Sequence, residues 1–155
     1  MQHFLVCLDG QINTDKMAAP INCSPARPQH ANIPDGMVAT GAIADAVEVL
    51  ETLSNQSLSI LASAKITKLL NWSAPIITHF IGERNDIVNL HGTPTGNNQF
   101  NIVQEKVGPF NAMMNGLRSE PTAAPPREYL IDLASLADAK VTPVAYGKLQ
   151  IFIKE

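Results

Sequence analysis

Residues 37–72 read MVATGAIADAVEVLETLSNQSLSILASAKITKLLNW, and the spacing of their apolar side chains decides the fold class. Ile43, Ala46, Val47, Leu50 and Leu53 recur at the three-to-four interval of a helix, with Asp45, Glu48 and Glu51 on its other faces. The polar run Ser54-Asn55-Gln56-Ser57 interrupts the pattern, which resumes at Leu58, Leu61, Ala62, Ile66, Leu69 and Leu70. One long helix or a broken pair fits equally. A core-facing helix and an oligomer seam write the same stripe, and a core-facing helix is the expectation. Pro75 lacks the N–H that would continue the ladder and crowds the preceding turn, so the helix is expected to stop shortly beyond Trp72.

Downstream, residues 75–81 and 87–91 are rich in β-branched and bulky types, and they flank Gly82-Glu83-Arg84-Asn85-Asp86. A hairpin with a five-residue loop is the expectation. Upstream, residues 3–8 read as a buried strand that ends at the turn pair Asp9-Gly10. Residues 11–36 contain Pro20, Pro25, Pro28 and Pro34 among polar and small residues, which excludes a regular helix or a central strand. Towards the C-terminus, 93–98 reads as a loop, 100–107 as strand or helix, and 109–117 as a short helix ending near Gly116. A Pro-rich connector follows at 119–126, then a strand or helical turn from Tyr129. Residues 141–146 and 149–154 suit a closing hairpin or a bent strand. The expected class is α+β, with one mixed or antiparallel sheet packed against one long or two shorter helices. A long irregular N-terminal arm precedes them. All of this is expected within a single domain, 1–155, because 155 residues can bury one core without reaching the size at which chains split.

Composition narrows the function classes. The chain is 45% hydrophobic and 16% charged, with 11 Lys and Arg against 14 Asp and Glu, and neither sign gathers into a run. Nucleic-acid binding through a basic patch is not expected, since Arg27, Arg84, Arg118 and Arg127 are scattered. No run approaches the ~20 apolar residues of a membrane helix, and the start of the chain lacks the basic region and cleavage site of a secretion signal. Synthesis in the cytoplasm is the expectation, with Cys7 and Cys23 as thiols and the Asn-x-Ser triplets at Asn22, Asn55 and Asn71 unglycosylated.

Catalytic patterns are sparse in the chain. The chain has no P-loop, no dinucleotide fingerprint, no Gly-x-Ser-x-Gly elbow and no Cys pair at zinc or redox spacing, so no cofactor is expected. The one grouping with chemistry is the expected hairpin: centred on Arg84, it sets Ile77 opposite His91 and His79 opposite Asn89, making the two imidazoles diagonal neighbours on one face. His79 and His91, joined by Glu83 or Asp86, then form a candidate metal site for a small metal-dependent enzyme or binder. Two half-exposed polar residues on a sheet face are the plainer reading. His3 and His30 have no partners in the pattern; Trp72 and Phe80 read as core anchors, and Met113 and Met114 as gap-fillers.

The remaining feature is the length and composition of residues 11–36. Ordering a backbone costs about 1–2 kcal/mol per residue, and a polar, proline-rich stretch buries too little apolar surface to offset that alone. Such a segment is held by its own domain or by a neighbour, as in the arms of subunits of large assemblies. The leading expectation is therefore a structural or assembly subunit, a virion or phage component such as a capsid, decoration or tail protein. Its expected partners are copies of itself, other subunits of the assembly, or both, with incorporation into a virion after synthesis as one expected location. A monomeric adaptor that recognises one partner through 11–36 is a third possibility.

Overall fold

The structure is a computed structural model; it describes residues 3–7, 12–13, 33–96 and 99–154. The expected turn at Asp9-Gly10 and most of the Pro-rich arm lie outside the described residues. The chain is mostly helical with small sheets, compatible with the α+β class. It divides into two compact units, one from the described parts of 1–32 with 82–117, the other from 33–81 with the described part of 118–155.

The larger unit begins with strand β3 (Met37–Ala39), which follows a turn with Gly36 at φ 80, closed by the Met37 N–H donating to the Pro34 carbonyl at 3.0 Å. Glycine suits that left-handed position because it has no Cβ. Helix α1 (Thr40–Ser54) ends at Asn55, whose side-chain amide donates back to the Glu51 carbonyl at 2.9 Å. Helix α2 (Ile60–His91) starts after Ser59, whose hydroxyl accepts from the Ala62 N–H. The polar run thus separates two helices, the broken pair of the sequence reading.

Helix α2 does not stop at Pro75. It continues through the segment expected to form a hairpin, so residues 75–91 are helical. Pro75 and Asn71 both lie on the exposed side. The carbonyl left without its usual N–H partner is therefore in reach of water, which limits the penalty. Within this unit the buried positions Ala62, Ile66, Leu69, Ser73 and Phe80 step by fours and threes, with Ile76 and Ile77 partly buried between them.

From that stripe Ile66 and Leu69 join Ile43, Ala46, Leu50 and Leu53 of α1 in one core, closed from the C-terminal side by Ile131, Leu149, Phe152 and Ile153. Trp72 is a partly buried anchor there, edge-on to Phe152 with ring centroids 6.1 Å apart. Strand β6 (Pro121–Ala123) lies within the expected connector and pairs antiparallel with β3. Helix α4 (Pro143–Leu149) replaces the strand expected at 141–146; Thr142 caps it, its hydroxyl accepting from the Ala145 N–H at 3.2 Å. Two-residue strands β7 (Ile131–Asp132) and β8 (Ile153–Lys154) pair in parallel, so the expected C-terminal strand is confined to its last part.

The smaller unit holds a four-stranded sheet, in spatial order β2 (Ile12–Asn13), β1 (His3–Cys7), β5 (Gln99–Val103) and β4 (Gly92–Gly96). Strand β1 (His3–Cys7) pairs along its whole length with β5 (Gln99–Val103) and at Leu5 and Val6 with β2 (Ile12–Asn13), all antiparallel. Strand β4 (Gly92–Gly96), expected as loop, forms the far edge, where Pro94 costs no interior hydrogen bond. Gly92 marks the passage from helix to strand: a Cβ there would stand 2.9 Å from the Val88 carbonyl oxygen. Helix α3 (Gln104–Ser119) buries Phe110, Met114 and Leu117, and Ile87, Val88 and Ile102 are buried in the same unit. No helix among the described residues is long and apolar enough to cross a membrane.

Candidate functional site

All four residues of the expected metal site lie on α2. His79, Glu83 and Asp86 are exposed and His91 is half-buried. Twelve positions, more than three helical turns, separate the two histidines along the element, whereas the hairpin would have made them cross-strand neighbours. His79 also belongs to the other unit. Among the described residues no group of three or more His, Cys, Asp or Glu is placed to hold a metal.

His91 has different company. Its ring stands edge-on to Phe110, with centroids 6.3 Å apart, and its Nε2 lies 3.1 Å from the Sδ of Met113. Phe110 and Met113 are one helical turn apart on α3, so this small cluster joins the end of α2 to α3 within the smaller unit. Of the Met pair, Met114 is buried as a gap-filler and Met113 is exposed. Position 113 falls within the same i, i+3, i+4, i+7 set as Phe110, Met114 and Leu117, so helical spacing does not separate the two methionines and the exposure of Met113 is set by tertiary packing.

Three polar arrangements pin the larger unit. Thr40, which is buried, donates its N–H and its hydroxyl to the Glu120 carbonyl, each at 2.9 Å. Arg118 Nη2 reaches Asp45 at 2.6 Å beside this contact. Lys65 Nζ donates to the Leu130 carbonyl at 2.6 Å and to Asp132 at 2.8 Å. The hydrogen bond from Lys65, then its charge, then that of Lys154 hold the Asp132 carboxyl below the usual carboxylate range against the opposing cost of desolvation. Each of these side chains has a protein partner, which marks these as holding contacts.

The surface of the same unit is less resolved in its chemistry. Ile60 is 91% exposed, Val144 74% and Leu61 59%, with Leu133 also exposed. Leu61 was expected on the buried stripe; the stripe passes through Ala62 instead, and its four-and-three rhythm leaves 61 on the flank. Between α1 and the start of α4 runs an open groove of about 270 Å³ whose walls include Val49, Leu53, Val141 and Ala145. Gln56 and the Lys140 backbone, paired by two hydrogen bonds, cross one end of it.

No family model, curated protein or solved structure matches the chain.

Proposed function

We propose that the chain is a structural or assembly subunit, held in a larger complex by protein–protein contacts with copies of itself. The observation that carries this reading is the exposure of Ile60 and Leu61 side by side at the start of α2, with Val144 and Leu133 also uncovered on the same unit. Full burial of an aliphatic side chain is worth about 1.5–3 kcal/mol. Ile60 and Leu61, adjacent in the chain and both uncovered, thus contribute favourably to any association that covers them. A surface left this way in an isolated chain gains from a partner.

The composition of residues 11–36 supports the further reading as a virion or phage component, a capsid, decoration or tail protein. A stretch so rich in proline and poor in apolar material orders best when laid along another surface. The test is substitution of the uncovered pair: Ile60→Glu with Leu61→Glu removes association and leaves the thermal transition of the fold in place. Unaltered association in that variant would refute the assigned surface.

A further inference from the structure

The contact between His91 and Met113 has chemistry that the assembly reading does not use. A thioether carries no hydrogen, so in the tautomer with the proton on Nε2 the 3.1 Å contact is a hydrogen bond from His91 to Met113 Sδ. The sulfur is a weak acceptor, and Met113 is 44% exposed, open to small oxidants from solvent. Phe110, buried and edge-on to the imidazole, packs against the ring.

We infer that Met113 is a site of oxidation to methionine sulfoxide by hydrogen peroxide, promoted by the His91 N–H beside it. A sulfur lone pair attacks one peroxide oxygen and forms the S–O bond as the O–O bond breaks. The departing hydroxide takes up the proton left on the transferred oxygen and leaves as water, so sulfur is oxidised by an electron pair and the peroxide reduced by the same pair. Negative charge builds on the departing oxygen during this step, and the His91 N–H stabilises it by exchanging its weak bond to the sulfur for one to that oxygen. In the product the sulfoxide oxygen is a far better acceptor than the thioether was. The same N–H then binds it, and the tie between the end of α2 and α3 is strengthened rather than broken.

The molecule contains its own control. Met37 is 43% exposed, nearly the same as Met113, and Met114 is buried next to it in sequence. Full-length protein exposed to dilute hydrogen peroxide and sampled over time by peptide mass mapping should show Met113 oxidised ahead of Met37, with Met114 last. The variant His91→Phe keeps a ring against Phe110 and removes the N–H; it should bring the rate at Met113 down to that at Met37. Equal rates at Met113 and Met37 in the unsubstituted protein would overturn the inference, and this comparison stands even if the variant fails to fold. A lead for Met113 that survives in folded His91→Phe would overturn the role given to His91.

Discussion

Replacing Gly41 by alanine tests how closely the start of α1 is pressed against the chain leaving α3. A Cβ built at Gly41 stands 2.8 Å from the Arg118 Cβ and 2.9 Å from the Arg118 carbonyl oxygen, neither of which can rotate aside. Forcing extra carbon into a packed site costs about 1–3 kcal/mol. Separation of the two segments would also stretch the pair of Thr40 bonds to Glu120, each worth about 0.5–1.5 kcal/mol. Against this, alanine gains about 0.5–1 kcal/mol over glycine within a helix. The balance is a destabilisation of about 1–3 kcal/mol, read by urea unfolding. Gly82→Ala provides the opposite sign. Gly82 lies within α2 with no atom near its missing Cβ, so that variant should gain the helix term, about 0.5–1 kcal/mol, without a clash. If Gly41→Ala were as stable as Gly82→Ala, the close approach of Arg118 and the clamp built on Thr40 would be refuted.

Other substitutions probe separate steps of the account. Pro75→Ala restores an N–H inside an exposed helical stretch and should raise stability, by up to about 3 kcal/mol in urea titrations; a fall would mean that the proline shapes the helix usefully. Thr142→Ala removes the cap of α4 and should cost about 0.5–2 kcal/mol by thermal unfolding, whereas an unchanged transition would show the cap to be idle. Asp132 has a folded pKa below its unfolded one, so its pairing with Lys65 stabilises above the ordinary carboxylate range and is lost as pH falls through the folded value. Asp132→Asn should therefore flatten the acid limb of stability against pH, and an acid limb identical to the unsubstituted protein's would contradict the pairing.

The physics of particular segments explains what the sequence disclosed. The stripe from Ile43 to Leu53 and its resumption at Ala62, Ile66 and Leu69 were legible because the three-to-four spacing holds within each helix and breaks at the polar run between them. The rest of α2 was obscured by Pro75 and by the β-branched pairs Ile76-Ile77 and Ile87-Val88, which favour strands locally. Yet Ser73, Ile76, Phe80, Ile87 and His91 keep a three-to-four rhythm, and that periodicity outranks the propensity of single residues. Helix α4 was announced by Thr142-Pro143, a cap followed by proline in the first turn, and the apolar alternation after it drew the reading towards a strand. The pairings of β1 with β5 and of β3 with β6 join positions some 80 to 100 apart in the chain, about which local pattern is silent. The His91 contact with Met113 depends on the same long-range placement, as does the exposure of Ile60.

Sedimentation velocity of the purified chain across micromolar concentrations measures the central claim directly. A particle heavier than the 16.7 kDa protomer, reduced to the protomer by the Ile60→Glu and Leu61→Glu pair, is the expected result. A species of 16.7 kDa at every concentration would contradict the assignment as a self-associating subunit.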